Sequence, residues 1–104
     1  MRIDLKTDSD IEGHDELARY VETVVTTALE HDMAKIARVE VQISGVRAGT
    51  AGSADDIRCM LEARLEVLHP LAVTHQATTV HETVRGAAAK LKHAVNLALG
   101  RDKL

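Results

Sequence analysis

The sequence has almost no aromatic residues, one cysteine and one proline. Tyr20 is the sole aromatic among 104 residues, which excludes recognition of single-stranded nucleic acid by base stacking, since that requires several surface aromatics. The lone Cys59 excludes an internal disulfide and favours an inert, buried thiol in a reducing compartment. No apolar run approaches the roughly 20 residues that span a bilayer, and the N-terminus has no apolar leader. These absences predict a cytoplasmic protein that is neither exported nor embedded in a membrane.

Motifs for catalysis and cofactor binding are also missing. The sequence contains no nucleophile elbow, no phosphate-binding loop, no dinucleotide-binding glycine pattern and no zinc-protease helix motif. His69, His75 and His81 recur six residues apart, but they fall in a turn, a strand and a first helical turn and so share no direction. Adjacent Asp55 and Asp56 are more often solvated charge than a metal site. We therefore expect no catalytic residues, no cofactor, no small-molecule substrate and no metal; a small enzyme or metal carrier is the weakest hypothesis.

The longest regular pattern runs from Asp56 to Ala77 and predicts a β-hairpin with Pro70 at its turn. Apolar residues occupy every second position on both arms, which is typical of strands with one buried face. The inward positions are Ile57, Cys59, Leu61, Ala63, Leu65, Val67, Leu71, Val73, His75 and Ala77. The position of His75 predicts a buried, hydrogen-bonded imidazole. Helices from elsewhere in the chain must cover this apolar face.

The first half of the chain predicts two more strands and a helix. Residues 1–6 and 38–44 alternate between apolar and polar side chains, as the hairpin does. Between them, apolar residues recur at three- and four-residue steps from Asp15 to about His31, which is typical of an amphipathic helix. Residues 45–56 contain three glycines and predict a loop before the hairpin.

A second helix is predicted at the C-terminal end. Thr79 and Glu82 form a capping box that starts it, and Gly100 is placed to end it. Its predicted apolar stripe consists of Val84, Ala87, Ala88, Leu91, Ala94, Val95 and Ala98. At 100° per residue, Arg85 and Lys92 fall on one edge of this stripe and Lys90 falls on the other.

The element order β-α-β-β-β-α predicts one α+β domain that spans residues 1–104. A right-handed crossover through the first helix makes the first two strands parallel neighbours, and the later strands add antiparallel. The expected architecture is a four-stranded mixed sheet with both helices packed on one face.

Charge is distributed unevenly along the chain. Residues 1–78 carry 8 Lys and Arg against 14 Asp and Glu, whereas residues 79–104 carry 5 against 2. If the chain has an anion-binding surface, this distribution places it mainly near the C-terminus; composition alone favours the alternative that these Lys and Arg residues simply belong to a solvated helix. The polar sheet face interleaves arginines with glutamates, so cross-strand ion pairs explain these arginines at least as well as a contribution to anion binding does. These residues are Arg38, Arg58, Arg64, Glu40, Glu62 and Glu66.

Three short motifs together resemble the ribosome hibernation promoting factor and ribosome-associated inhibitor family, also called sigma-54 modulation proteins. They are D-x-L-x-x-Y-V-E from Asp15 to Glu22, V-E-V-Q-I-S from Val39 to Ser44, and A-x-K-L from Ala88 to Leu91. The resemblance covers essentially the whole chain and implies a double-stranded-RNA-binding-like fold. It also implies binding to the small ribosomal subunit, where family members block the mRNA and tRNA channel in starved cells. The chain resembles the short form, which lacks a dimerisation domain.

The leading hypothesis is therefore a translation inhibitor that binds ribosomal RNA through phosphate contacts and acts by occlusion. Within the resemblance, Lys90 matches the family's lysine in its second helix, and His93 stands where the family often has arginine. The predicted RNA-binding residues are Lys90, His93, Lys92, Arg85 and Arg101. The family usually carries several lysines on its first helix, where this chain has Val24 and Thr27. The alternative hypothesis is thus a non-catalytic protein-interaction module that kept the fold and lost ribosome binding. The sequence leaves the oligomeric state open and favours a monomer over an oligomer.

Overall fold

The computed structural model describes residues 1–8, 13–46 and 56–100. Within these ranges it contains four strands and two α-helices in the order β-α-β-β-β-α, which confirms the predicted order. The elements are β1 (Arg2–Thr7), α1 (His14–Ala28), β2 (Ile36–Val46), β3 (Asp56–Leu65), β4 (Leu71–Ala77) and α2 (Val80–Ala98). A short 3-10 turn, Met33–Lys35, precedes β2. Neither helix of these ranges combines the length and apolar character needed to cross a membrane.

The four strands form one mixed sheet in the order β1-β2-β3-β4. β1 runs parallel to β2, because α1 connects them as a crossover, while β2–β3 and β3–β4 are antiparallel pairs. Buried residues of both helices join those of a single sheet face in one apolar cluster. The predicted architecture, with both helices on one face of a mixed sheet, is therefore confirmed.

The core between the helices and the sheet is almost entirely aliphatic. α1 contributes Leu17, Val21 and Val25, and Leu91 and Val95 of α2 lie beside them in the same cluster. The sheet contributes eight buried residues to this core, namely Ile36, Val39, Val41, Ile43, Cys59, Leu61, Ala63 and Leu65. Burial raises the pKa of the Cys59 thiol to about 12, so this thiol stays neutral at ordinary pH and is a poor nucleophile.

Strand β2 is longer than its sequence pattern predicted. It continues through Gly45 and Val46, which pair with Ile57 and Asp56 of β3, because backbone pairing does not depend on the polarity of the side chains. The rest of the predicted loop, including Asp55, lies outside the described residues. α1 ends slightly earlier than predicted, at Ala28, and is followed by turns at residues 29–32.

Two residues predicted to face the core are exposed. Alternation predicts Val67 on the buried face of β3, but the strand ends at Leu65 and the chain then bends, which leaves Val67 87% exposed. Helical spacing predicts Ala98 in the apolar stripe of α2, yet Ala98 too is exposed. Near the end of this helix, Leu99 packs against the core instead. Both errors arise where an element ends, since periodicity describes only the interior of an element.

Candidate nucleic-acid interface

Helix α2 is fixed at both ends by the residues that the sequence indicated. The Thr79 hydroxyl accepts a hydrogen bond from the backbone N–H of Glu82 at 3.2 Å, which satisfies one of the unpaired donors of the first turn. Thr83, which is buried, donates to the Thr79 carbonyl at 2.6 Å. At the other end Gly100 adopts a φ of +75°, a left-handed conformation that glycine tolerates and that commonly ends helices. This anchored helix carries most of the predicted RNA-binding residues.

Arg85 and Lys92 lie on the side of α2 that faces α1. Together with Ala88 and Ala89 they line a groove of about 570 Å³ between the two helices. The opposite wall belongs to α1 and the turn after it, and consists of Tyr20, Thr23, Val24, Thr27, Ala28 and Glu30. The alanines contribute only small side chains to the α2 wall, and both cationic residues are exposed to solvent. The groove is thus cationic along one wall and mainly neutral along the other, and Glu30 is the single acidic residue among the described residues that line it.

Lys90 lies on the opposite edge of α2, as the helical spacing predicted. Its ammonium group donates a hydrogen bond of 2.9 Å to the backbone carbonyl of Thr74 in β4. β4 is an edge strand of the sheet, so Lys90 satisfies a carbonyl that has no neighbouring strand on that side. α2 therefore separates Lys90 from the groove that Arg85 and Lys92 line.

The structure describes one of the two remaining predicted residues. His93 is exposed on α2, one residue beyond Lys92. Arg101 lies outside the described residues. The predicted RNA-binding residues consequently do not form a single cluster: two line the groove, one lies at the sheet edge, and His93 lies on the exposed side of the same helix.

Tyr20 and His81 form a contact that sequence reasoning missed. Their rings stack with centroids 4.2 Å apart and an interplanar angle of 26°, which joins α1 to the first turn of α2. The two residues are far apart in the sequence, so no local pattern signals their contact. Tyr20, the sole Phe, Tyr or Trp residue of the sequence, thus packs against the neighbouring helix.

The three histidines of the predicted hairpin and helix do not converge. His69 and His81 are exposed, whereas His75 is half-buried and packs so closely against Gly86 of α2 that a Cβ there would overlap its ring. The prediction of a buried imidazole at position 75 is therefore wrong in its burial, since the ring fills the gap left by a glycine and stays half-buried, and among the described residues no hydrogen-bond partner of the ring is found. Among all the residues that the structure describes, no group of three His, Cys, Asp or Glu side chains is arranged to hold a metal ion.

The arginines of the polar sheet face pair along their own strands. Arg38 contacts Glu40 at 2.9 Å and Arg64 contacts Glu62 at 3.5 Å. The expectation of cross-strand ion pairs is wrong here, because the register of β2 and β3 places Arg38 opposite Arg64 and Glu40 opposite Glu62. These arginines are thus already neutralised in part, which distinguishes them from the cations of α2.

Two solved structures share this architecture over nearly their full length. The N-terminal domain of Thermus thermophilus Protein Y superimposes with a TM-score of 0.69 and 15% identity, covering 94% of this chain and 99% of that one. The chain has the fold of that domain. A ribosomal subunit interface protein from Coxiella burnetii gives a TM-score of 0.70 and 12% identity, covering 95% of this chain and 98% of that one. This likeness confirms the fold that the sequence resemblance implied.

The likeness to known proteins lies in the fold and hardly in the sequence. Comparisons with family models and with curated proteins found no match. Identities of 12–15% to the two structures leave room for the surface to change while the buried pattern is kept, since cores tolerate extensive apolar substitution when volume and pattern persist.

Proposed function

We propose that this chain is a ribosome-associated translation inhibitor of the hibernation-factor type. It binds the small ribosomal subunit through phosphates of the ribosomal RNA and occludes the channel used by mRNA and tRNA under stress. The observation that carries the proposal is the full-length likeness in fold to a ribosomal subunit interface protein. Residues 1–104 act as one domain in the cytoplasm, and the role requires no catalytic group, cofactor or metal.

The charge on α2 supports this side of the molecule as the RNA contact. The helix carries Arg85, Lys90 and Lys92 against a single acidic residue, Glu82. Lysine and arginine on an exposed helix gain free energy at RNA mainly by releasing condensed counterions, and they need no base-specific contact for this. Arg85 and Lys92 are the primary contacts, because the groove keeps them together at an open surface. Lys90 and His93 extend the contact beyond the groove, and Arg101 is proposed as a further contact on its sequence position alone.

Inhibition by occlusion requires rigidity rather than chemistry. Both helices pack on one continuous core, and α2 is also tied to the sheet by the hydrogen bond from Lys90 to Thr74. A bound domain of this kind excludes mRNA and tRNA by volume, while phosphate contacts supply affinity. The strength of binding should consequently depend on salt much more than on the RNA sequence.

A second candidate function is a protein-interaction module that no longer binds the ribosome. It is favoured by α1, whose polar face carries Asp15, Glu16 and Glu22 against the single cation Arg19. Such a surface repels phosphate and suits a basic protein partner. The two candidates differ in one measurable respect, namely whether the purified chain binds small subunits directly.

Sedimentation through a sucrose gradient with purified small ribosomal subunits tests the proposal. At low salt the parent chain should migrate with the subunits, and the Arg85→Glu, Lys92→Glu double variant should remain near the top. A matched control, Lys6→Glu with Arg58→Glu, makes the same change of charge on the opposite side of the molecule, where both residues are exposed. The control should migrate as the parent does. A parent chain that stays at the top at low salt would exclude direct ribosome binding and favour the interaction module.

A further inference from the structure

The exposed face of the sheet carries charges arranged in rows across the strands. The register aligns three arginines on neighbouring strands and also aligns three carboxylates, each two residues from the arginine of its own strand. The arginine row is Arg2, Arg38 and Arg64; the carboxylate row is Asp4, Glu40 and Glu62. All six side chains remain partly exposed, between 29% and 75%. The helices lie on the other face, so both rows are open to solvent.

This arrangement is the reverse of what stabilises an isolated sheet. Directly opposed residues have Cβ atoms about 5 Å apart, whereas residues two apart on one strand are separated by about 7 Å. The register therefore places like charges at the shorter distance and opposite charges at the longer one. Ion pairs along the strands compensate in part, at 3.1 Å for Arg2–Asp4, 2.9 Å for Arg38–Glu40 and 3.5 Å for Arg64–Glu62. In addition, the Nε of Arg38 is buried without a hydrogen-bond partner among the described residues.

From this pattern we infer that the exposed sheet face binds a second copy of the chain, face to face, about a two-fold axis. The axis runs parallel to the two rows and midway between them. Rotation about it places the arginine row of each copy over the carboxylate row of the other, strand for strand. Each arginine then has a carboxylate above it as well as one beside it. Two-fold symmetry repeats the three contacts, so the interface contains six.

A second copy fits this face better than other partners do. Two parallel rows of opposite sign are self-complementary under a two-fold rotation, whereas any other protein would need the same spacing by coincidence. Nucleic acid is disfavoured, because the carboxylate row runs beside the arginine row and repels phosphates. Four strands spaced about 4.8 Å apart offer a face of roughly 500 Å². This is below the roughly 800 Å² per partner of a stable complex, so the dimer should be weak, reversible and sensitive to salt.

The dimer leaves the proposed RNA contact accessible. The groove residues Arg85 and Lys92 belong to the helical layer, and the charge rows lie on the opposite side of the sheet. Dimerisation is therefore independent of ribosome binding, and it is tested with the purified, untagged chain alone. Failure of either proposal leaves the other standing.

Reciprocal charge reversal tests the dimer. One variant, Arg38→Glu with Arg64→Glu, makes the central part of the face acidic; the other, Glu40→Arg with Glu62→Arg, makes it basic. By sedimentation equilibrium at about 0.01 M salt, where charges are little screened, the parent should dimerise and each variant alone should be monomeric. An equimolar mixture of the two variants should form a heterodimer at least tenfold tighter than the parent dimer. At about 1 M salt all of these associations should be lost.

Two further variants guard against misfolding and against an effect of net charge. Arg38→Gln with Glu40→Gln leaves the net charge unchanged and removes the centre of both rows, so it should reduce dimerisation at least tenfold while remaining folded by circular dichroism.

A second control places charge on α1 and leaves the sheet face unchanged. Glu16→Arg with Glu22→Arg changes the net charge by as much as Glu40→Arg with Glu62→Arg does. Mixed with the variant whose sheet face is acidic, this α1 control should form no heterodimer. The proposal is overturned by a parent that stays monomeric at low salt, by a Gln variant that dimerises as the parent does, or by a heterodimer with the α1 control.

Discussion

Helices α1 and α2 lie side by side on the same core but differ in their polar faces. Both bury an aliphatic stripe, with Val21 and Val25 on α1 and Leu91 and Val95 on α2 fully enclosed. α1 carries one cation and three carboxylates, whereas α2 carries three cations and one carboxylate. The fold constrains the buried stripes of both helices equally. The fold does not constrain the polar faces in this way, so a difference in function between the two helices is expected in their polar residues.

The two helices also differ in how firmly they are placed. α1 begins after Gly13, which has a left-handed φ of +70° and provides no side-chain cap, whereas α2 begins with a hydrogen-bonded Thr79 cap. α2 also approaches the sheet closely through Gly86, which packs against His75. The more firmly positioned helix is thus the one with the cationic face, as expected if α2 provides a preorganised contact surface.

The close approach of α2 gives the largest expected effect on stability. Gly86→Val should destabilise the protein by roughly 2–3 kcal/mol, because the new side chain would overlap the His75 ring in a packed layer. Ala89→Val, at an exposed position of the same helix, should cost no more than about 0.7 kcal/mol from helix propensity. Chemical denaturation measures both. In a His75→Ala background, at least half of the Gly86→Val cost should disappear; an unchanged cost would show that His75 does not set the helix position.

Removal of the cap on α2 should have a smaller effect. Thr79→Ala leaves the N–H of Glu82 without its acceptor and should cost about 1 kcal/mol of unfolding free energy. Thr78→Ala, one residue earlier and exposed, is the matched control and should change stability by less than about 0.5 kcal/mol. Equal effects of the two substitutions in thermal unfolding would contradict the assigned role of the cap.

What the sequence could predict followed from short-range periodicity. The positions of Lys90 and of Arg85 and Lys92 on opposite edges of α2 came from helical spacing, and the ends of this helix came from Thr79 and Gly100. Alternation likewise indicated which strand residues face the core. Each of these inferences concerns residues within a few positions of one another, where backbone geometry alone fixes direction.

What the sequence could not predict depended on contacts between distant segments. The rows of charge require the register of three strands, and alternation within each strand leaves that register open. The stacking of Tyr20 on His81 and the packing of His75 on Gly86 required the relative placement of two elements. The exposure of Val67 depended on where β3 ends, which pairing with its neighbours decides. By contrast, the alternating pattern predicted both strands of the hairpin correctly, because the two strands that pair are adjacent in the chain.

The salt dependence of binding to small ribosomal subunits tests most directly the claim that α2, rather than α1, faces RNA. The Kd would be measured over a range of salt for the parent, for Arg85→Gln with Lys92→Gln, and for Glu22→Gln with Glu30→Gln on the α1 side. The parent should weaken steeply with salt, and loss of the two α2 cations should reduce the slope of log Kd against log salt by roughly 1.4–1.8, at 0.7–0.9 per phosphate contact. The α1-side variant should keep the parent slope and bind equally or more tightly, because it removes charge that repels phosphate. A parent slope near zero, or an α2 variant with the parent slope, would contradict the account.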